Sequence, residues 1–315
     1  MSNLNKKELS LKIKAEAKRL GFFNCGISKV EYLESEEKYL SQWLDKNYHA
    51  EMDYMKNNLE KRVDPAKLVL NAKSVISLNI NYFPGEIEYD ENQVKISKYA
   101  LGKDYHKLIK KKLKQLFSFI NQLDKNLEGR YFVDSAPVLD KIWAEKSGLG
   151  WKGKHGLIID KDFGSFFFIG EIICNIELEY DQEINSLCGS CRRCIEACPT
   201  NAIVEEYSVD ANRCISYQTI ENKNLIPESI VQNIQNYIFG CDICQDVCPW
   251  NNKSIITSIK GLGDRKDILQ LSFDDYLKMP EEEFNNVFNG TAIKRAGFSK
   301  IKQTVKQITK HKNNL

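Results

Sequence analysis

Apolar and polar residues alternate along the chain with two different periods, and each period predicts one kind of element. Apolar residues recur every three or four positions near the N-terminus and again over Tyr105–Leu123, which predicts two amphipathic helices. A third helical stretch covers 135–146. Residues 74–83 and 166–176 are rich in β-branched and aromatic side chains, which is typical of buried strands. Helices that alternate with strands in this way predict an α+β layer fold.

The composition of the 315-residue chain divides it into three segments. Residues 1–180 carry the mixed pattern of helices and strands, 181–255 contain most of the cysteines, and 256–315 form a short basic C-terminal segment. We therefore expect a catalytic domain, a cysteine-rich domain and a basic extension. No apolar run approaches the ~18 residues that a membrane span requires. The N-terminus lacks the apolar region of a signal peptide, so a cytoplasmic chain is expected.

The formal net charge is only +2, but the basic residues are clustered. Residues 284–315 contain no Asp or Glu, and a second run of lysines covers 103–114. A clustered excess of positive charge produces the field that attracts polyanions, whereas dispersed charge does not. Each cluster is either a solvated face or a surface for a polyanion, and the charge pattern leaves both interpretations open.

Cysteine is the residue type that points to a specific chemistry, because the chain contains ten of them. Cys25 and Cys174 stand alone in apolar surroundings, as buried inert thiols do. The others lie between 188 and 248, mostly in two runs that each end in Cys-Pro. The first run, Cys-x2-Cys-x2-Cys-x3-Cys-Pro, is the ferredoxin motif, whose fourth cysteine binds the other of two clusters. The second run lacks one cysteine, which Cys214 can supply.

This spacing predicts two [4Fe-4S] clusters with interleaved ligands. One cluster is expected on Cys188, Cys191, Cys194 and Cys248, and the other on Cys198, Cys214, Cys241 and Cys244. A zinc ribbon has no need of the Cys-Pro ending, and disulfides are disfavoured in a cytosolic chain of this length. Two adjacent clusters pass electrons singly, so residues 1–180 should hold the site where the electrons are used.

Asp134 is the leading candidate for an acid at that site. It follows the strand-like residues 131–133, and carboxylates at the carboxyl end of a strand are frequent catalytic groups. The alternative is that Asp134 caps the helix predicted to follow it, and the sequence leaves the two roles open. Asp104, Tyr105 and His106 place three ionisable side chains in succession after a glycine. We expect these three residues to support catalysis.

Several motifs occur in an order that resembles a known family. They are Glu51-Met52-Asp53-Tyr54-Met55, Glu60-Lys61-Arg62-Val63-Asp64-Pro65, Gly102-Lys103-Asp104-Tyr105-His106, Val133-Asp134, Ala144-Glu145-Lys146-Ser147-Gly148-Leu149-Gly150, Gly153-Lys154 and Cys188-Gly189-Ser190-Cys191. With these motifs the chain resembles the epoxyqueuosine reductases, which are cobalamin-dependent iron-sulfur enzymes of queuosine synthesis in tRNA. The resemblance runs from the first helix to about Pro249.

The resemblance implies a nitroreductase-like cobalamin-binding domain packed on a ferredoxin-like domain with two [4Fe-4S] clusters. The implied reaction is reduction of epoxyqueuosine to queuosine in tRNA, with single electrons from a low-potential donor. Asp134 matches the proton donor of the family, and burial against the corrin would raise the pKa of its carboxyl. The positions that match cofactor-binding ones are Arg62, Ser97, Asp134, Ile158, Ile169 and Ser216. The residues expected to face the RNA are Lys223, Lys294, Arg295 and Lys300.

Two other functions remain compatible with the cysteine motifs. A reductive dehalogenase-like cobalamin enzyme would use the same two clusters on a small molecule, although such proteins normally carry an export signal and a larger substrate domain. A ferredoxin-type electron carrier would need neither Asp134 nor the ionisable residues at 104–106. Nothing in the sequence indicates an obligate interface between copies, so a monomer is expected.

Overall fold

The computed structural model describes residues 5–91 and 93–314. The predicted segments also include residues 1–4, Asn92 and Leu315, which lie outside the described residues. The strands are β1 (Asn24–Lys29), β2 (Ser74–Asn81), β3 (Lys95–Ile96), β4 (Gly129–Phe132), β5 (Trp151–Lys152), β6 (Ile158–Ile159), β7 (Phe167–Cys174), β8 (Ile203–Glu205), β9 (Ser208–Val209) and β10 (Tyr237–Phe239). The α-helices are α1 (Lys6–Arg19), α2 (Glu34–Asp45), α3 (Leu59–Arg62), α4 (Tyr105–Leu123), α5 (Asp140–Lys146), α6 (Arg193–Glu196), α7 (Ile215–Ile220), α8 (Glu228–Val231), α9 (Ile243–Asp246), α10 (Phe273–Lys278), α11 (Glu281–Val287), α12 (Ile293–Ala296) and α13 (Phe298–Asn313). Short 3-10 helices cover Asp53–Met55, Pro65–Lys67, Lys98–Ala100, Pro249–Lys253 and Lys266–Gln270.

A four-stranded antiparallel sheet, in the order β1-β2-β7-β4, lies at the centre of residues 5–180. The two central strands pair over their whole length, from Ser74 opposite Cys174 to Asn81 opposite Phe167. Every residue of β2 is buried, and β7 is buried at all positions but one. Burial on both faces explains why these strands read as continuous apolar segments rather than as an alternating pattern.

Helices cover both faces of this sheet. On one face α1 and α4 pack through Ile13, Leu113 and Leu116 against apolar residues of β2 and β7. On the other face α5 packs so closely that a Cβ built on Gly26 of β1 would lie 2.1 Å from the carbonyl oxygen of Ser147. Glycine at position 26 therefore permits the close approach of α5 to the sheet.

The strongest periodic signals correspond to elements of the structure. The helix predicted over Tyr105–Leu123 has those bounds, and the two predicted strands are β2 and β7, each shorter by a few residues. The helix predicted over 135–146 is wrong at its start, because α5 begins only at Asp140. Pro137 lies in the missing part, where proline disfavours helical backbone in the residue before it and lacks an N–H of its own.

The basic C-terminal segment is folded into a second core. Its helices α10 to α13 contribute Tyr276, Phe284, Phe288 and Val305 to a buried cluster. The same cluster contains apolar residues from 94–101 and from 215–239. Side chains of all three predicted segments thus pack together, while the boundaries of domains at 180 and 255 stay predictions.

The α+β prediction is confirmed as a mixture of helices with an antiparallel sheet. The finer description of the first segment as nitroreductase-like stays a prediction. None of the helices formed by the described residues carries an apolar stretch of membrane-spanning length.

Candidate active site and iron-sulfur ligands

A cavity of about 500 Å³ lies between the central sheet and the cysteine-rich segment. Phe167 and Ile169 of β7 form part of its wall, and Ile203 and Ile215 from the cysteine-rich segment form another part. The volume lies in the range of cofactor and ligand sites, which are mostly apolar with a few polar groups. The polar groups here include Tyr105 and Asp134.

The eight clustered cysteines divide between this cavity and a smaller one. The inner cysteine set, which lines the large cavity, is Cys198, Cys214, Cys241 and Cys244. The outer cysteine set, which lines a separate hollow of about 30 Å³, is Cys188, Cys191, Cys194 and Cys248. This is the grouping that the spacing predicts, because the cysteine before each proline leaves its own run and joins the other set.

Short helices bring the cysteines of each set together. α6 carries Cys194 and α9 carries Cys244, while Cys214 is the residue before the first turn of α7. Burial raises the pKa of the Cys194 thiol to about 11, and it raises the pKa of Cys214 and Cys244 as well. Iron coordination supplies the positive charge that buried thiolates need, so the donor set fits two [4Fe-4S] clusters.

The two solitary cysteines are buried thiols, as the sequence predicts. Cys174 is wholly buried in β7 and Cys25 is buried in β1. Burial raises the pKa of Cys174 to about 11 and that of Cys25 to about 12. Both side chains therefore behave as small apolar groups of the sheet.

Four ionisable side chains meet at one edge of the large cavity. His106 lies between two carboxylates, with Nδ1 2.7 Å from Asp104 Oδ1 and Nε2 3.2 Å from Asp134 Oδ2. The Tyr105 hydroxyl donates to the same Asp134 oxygen at 2.8 Å. Asp104 also caps α4, because its Oδ1 accepts from the His106 N–H at 3.0 Å. The cap and the ring contact together orient the imidazole.

Aromatic stacking fixes the position of this network on the sheet. The Tyr105 ring stacks on Phe168 of β7 with centroids 4.0 Å apart and an interplanar angle of 11°. The His106 ring stacks on the Tyr105 ring, with centroids 4.2 Å apart and an interplanar angle of 23°. Offset and parallel ring contacts of this kind limit side-chain motion, so the hydroxyl and the imidazole are held toward Asp134.

The hydrogen bonds set the charge state of this network. The pKa of His106 is raised, chiefly by its hydrogen bond to Asp134 and further by Asp104, against the opposing effect of burial. The pKa of Asp134 is lowered, first by the hydrogen bond from His106, while burial opposes the shift and Tyr105 and Arg295 add to it. The sequence-based expectation of a raised pKa for Asp134 is therefore wrong for this arrangement, because the partners outweigh burial.

Asp134 does not cap a helix, which decides between the two roles left open by the sequence. Its φ is 55°, in the left-handed region, and α5 begins six residues later with Leu139 as the preceding residue. Left-handed backbone costs energy in a residue other than glycine and is frequent at functional sites. The turn directs the carboxylate to Tyr105 and His106 instead of to the amides of α5.

Family models match two parts of the chain. Residues 62–135 match the family described as epoxyqueuosine reductase QueG, DUF1730. Residues 187–251 match the 4Fe-4S double cluster binding domain. The first match includes Asp104, His106 and Asp134, and the second includes all eight clustered cysteines, so the two sites lie within recognised domains.

Full-length relatives extend the match over the chain. The epoxyqueuosine reductase of Cellulophaga algicola is 50% identical over 293 residues, which are 93% of this chain and 95% of that protein. The chain belongs to the epoxyqueuosine reductases. The Escherichia coli member of the family is 44% identical over 299 residues, covering 93% of this chain and 79% of the relative. A solved epoxyqueuosine reductase with an epoxyqueuosine-modified tRNA-Tyr stem loop superposes with a TM-score of 0.90 at 27% identity, covering 98% of this chain and 82% of that one.

Most of the positions predicted to bind the cofactor line the large cavity. They are Ser97, Asp134, Ile158, Ile169 and Ser216. Ser97 is buried, and its hydroxyl donates to Asp242 beside the inner cysteine set. Arg62 is not part of the lining, because its guanidinium donates to the Tyr54 carbonyl at 2.8 Å and to the Asn57 carbonyl at 3.2 Å.

The residues expected to face RNA differ in exposure. Lys223, Lys294 and Arg295 are exposed, and Arg295 pairs with Glu221 at 3.1 Å. Lys300 is only 6% exposed, and its Nζ donates to the Asn224 carbonyl at 3.2 Å. Lys300 therefore presents little charge to a polyanion, because it lies among the buried residues of α13.

Sequence reasoning missed two polar residues of the cavity wall, Asp140 and Lys141. It also missed Glu171, which is fully buried beneath Asp140 in the middle of β7. The signal that could have identified Glu171 was the presence of a glutamate within the apolar run 166–176. A charged residue in a buried strand is rare unless it has a partner. Its partner is distant in sequence, so the pattern could not identify it.

Proposed function

We propose that this chain reduces the epoxide of epoxyqueuosine in tRNA to the alkene of queuosine. It would act in the cytoplasm as a monomer, with two [4Fe-4S] clusters, cobalamin and electrons from a low-potential donor. One observation carries the proposal: a single cavity is lined both by the inner cysteine set and by the acid network of Tyr105 and Asp134. Reduction of an epoxide to an alkene needs electrons and protons at the same place, and this cavity adjoins sources of both.

The lining of the cavity has the chemical character that suits cobalamin. Its apolar wall suits the face of a corrin ring, and Ser97, Ile158, Ile169 and Ser216 would hold the cofactor. Cobalamin, when bound, supplies a cobalt centre that transfers electrons to the substrate at low potential. The chain itself provides a mostly apolar wall that limits the access of water to the reacting groups.

The acid network delivers the proton that the departing epoxide oxygen requires. His106 would donate the proton on its Nε2 to Asp134 Oδ2. The Tyr105 hydroxyl donates to the same oxygen. Because the pKa of His106 is raised, the protonated imidazole persists to higher pH than an unperturbed one and is lost above that raised value. The network can therefore act as a general acid over a wider pH range than a free imidazole.

Electrons would enter at the outer cysteine set. Cys188 and Cys191 are half-buried and line the outer hollow, whereas the inner set lines the large cavity where the substrate would react. Arg193 lines the outer hollow and is exposed, and the neighbouring Arg192 is exposed as well. Complementary charge mainly raises the rate of association, so a small acidic one-electron carrier suits this surface.

Charge reversal at Arg193 should slow electron delivery. With Arg193→Glu, we expect the rate of reduction by an acidic flavodoxin or ferredoxin to fall about tenfold at low salt and less at high salt. Stopped-flow bleaching of the cluster absorbance measures this rate. Lys67→Glu is the matched control, because Lys67 is an exposed lysine of a different surface segment, Pro65–Lys67. Equal effects of both reversals, or an equal loss with dithionite as reductant, would refute an entry point at Arg193.

RNA phosphates would contact the exposed basic residues near the acid network. The charge of Arg295 contributes to the lowered pKa of Asp134, after the hydrogen bond from His106, which indicates that α12 lies near the cavity edge. We expect Lys223→Ala and Lys294→Ala each to weaken binding of the tRNA stem loop and to reduce the slope of log K against log salt by about 1. Fluorescence anisotropy at several salt concentrations gives the slope. An unchanged slope in both variants would contradict this placement of the phosphates.

The function itself is tested by anaerobic turnover. Protein loaded with both clusters and cobalamin should convert an epoxyqueuosine-containing tRNA stem loop to the queuosine form, detected as loss of one oxygen by mass spectrometry of the nucleosides. An organohalide offered under the same conditions tests the dehalogenase alternative. Conversion of the organohalide without conversion of the RNA would reject the proposal, and absence of both with full cofactor loading would favour an electron carrier.

A further inference from the structure

Two carboxyl groups that belong to neither the acid network nor the cysteine sets meet behind the cavity wall. Asp140 is the first residue of α5 and lines the cavity. Glu171 lies in the middle of β7 and is 0% exposed. Side chains two residues apart on a strand point to the same face of the sheet. Glu171 therefore lies on the same face as Phe167 and Ile169, which line the cavity, and this face is covered by α5.

The oxygens that face each other in this pair have no donor from elsewhere. Both Glu171 oxygens and Asp140 Oδ1 are buried, and no hydrogen-bond donor among the described residues reaches them. Two ionised carboxylates cannot hydrogen-bond to each other, whereas a carboxyl and a carboxylate can. A single proton therefore joins two of these three oxygens in a hydrogen bond, with Glu171 as donor and Asp140 as acceptor.

The surroundings of Glu171 disfavour its charge. Ser77 pairs with it across β2 and is itself fully buried, and α5 closes this face of the sheet. The charged groups that act on the pair are Asp134 from the adjoining loop and Lys141 and Arg62 toward Asp140. Burial, with the nearby Asp134, raises the pKa of Asp140 to about 7, and burial raises the pKa of Glu171 well above its ordinary value.

We propose that Asp140 and Glu171 hold one proton between them at neutral pH and supply it to Asp134 as the second proton of the reaction. This inference rests on the proposed function, because only a reaction that takes up two protons needs the store. Asp134 and Asp140 line the same cavity, so a proton that leaves the pair on its Asp140 side reaches the space that Asp134 shares.

The balance of the reaction shows why a second store is needed. Conversion of an epoxide to an alkene breaks two carbon–oxygen bonds, takes up two electrons and two protons, and releases the oxygen as water. A reduced one-electron carrier supplies the electrons through the clusters in two steps. The protonated His106 and Asp134 network gives the first proton, and the Glu171 carboxyl gives the second through Asp140 and becomes a carboxylate. Solvent returns one proton to each store after the product leaves.

The shared proton is tested without turnover by infrared spectroscopy. In the full chain with both clusters, the C=O stretch of a protonated buried carboxyl should be present at pH 7 and shift on exchange into D2O. Glu171→Gln should remove this band, because the amide keeps the shape and the hydrogen bond but carries no acidic proton. Ser77→Ala, which changes a buried neighbour on the same face, should retain the band. Absence of the band from the wild-type protein at pH 7 overturns the proposal whatever the activity is.

Kinetics then separate a proton store from a structural role. Glu171→Gln should lower kcat about tenfold, less than the ~10² of a directly acting acid, with KM unchanged. The loss should deepen as pH rises, because solvent supplies fewer protons, and Glu171→Asp should restore part of the rate. A loss that is independent of pH, or one that Ser77→Ala reproduces, would make the pair structural. Normal wild-type turnover with an unaffected Glu171→Gln variant would reject this inference and leave the proposed function intact.

Discussion

Replacement of Asp134 with asparagine should lower turnover of epoxyqueuosine-containing tRNA by about 10²- to 10⁴-fold, the range of a lost general acid. The amide removes the oxygen that accepts from both Tyr105 and His106, so the imidazole loses the partner that contributes most to its raised pKa. Single-turnover assays under anaerobic conditions measure the loss. The iron content should match that of the wild-type protein, because Asp134 belongs to neither cysteine set, and cobalamin should still bind, because the rest of the cavity wall is unchanged.

The pH profile identifies the cause of that loss. In the wild-type protein the rate should fall as pH rises through the raised pKa of His106, because the protonated imidazole is the form that can donate. In Asp134→Asn the alkaline limb of the residual rate should move to lower pH. Tyr105→Phe is a graded control, since it removes one hydrogen bond to Asp134 and keeps the ring stack on Phe168. Full activity of Asp134→Asn would remove Asp134 from the mechanism.

The second large effect is expected at the inner cysteine set. Cys244→Ser should disrupt the cluster that adjoins the cavity and lower turnover by more than the about 10- to 100-fold that changes beside a metal ligand typically cost. The physical reason is that electrons reach the cavity through this set, whose thiolates are buried around the cavity wall. Iron and sulfide analysis should show about half of the wild-type content, and EPR of the reduced protein should lose one of two signals.

Two further cysteine variants make this prediction specific. Cys191→Ser in the outer set should abolish turnover driven by a protein carrier, while dithionite still reduces the inner cluster. Cys25→Ala should keep all iron and full activity and cost about 1 kcal/mol of stability, because Cys25 is a buried apolar group of β1. Retention of full iron content and activity by Cys244→Ser would show that Cys244 is not a cluster ligand.

Local patterns predicted the elements whose signal is strong along the chain. The helix Tyr105–Leu123 shows a helical period over its whole length, and its bounds agree with the structure. The predicted start of α5 was wrong because the apolar pattern continues through Pro137. Proline disfavours helical backbone in the residue before it, so the helix begins only at Asp140. The C-terminal segment was interpreted from its charge, and its interleaved apolar residues, such as Phe284 and Phe288, proved to form a core.

The charge states of the site could not be predicted, because they depend on neighbours that are distant in sequence. Burial alone suggested a raised pKa for Asp134, but His106 and Tyr105 approach it from α4 and reverse the direction. Glu171 and Asp140 lie on different elements and meet only when α5 packs on the sheet. A pKa reports the local field, and that field is known only once the partners are placed.

The sequence by itself determined the chemistry that the chain can carry out: its ligand-forming cysteines, the family to which it belongs, and the acidic and imidazole groups near one helix start. Only the tertiary structure decided where these groups stand, with one cysteine set lining the large cavity, the other lining a separate hollow, and His106 held between Asp104 and Asp134. The physical reason is that thiolate spacing and apolar periodicity are local properties of the chain. Burial, hydrogen bonding and electrostatic coupling arise instead from contacts that folding brings together between residues on different elements, as between His106 and Asp134 at a separation of 28.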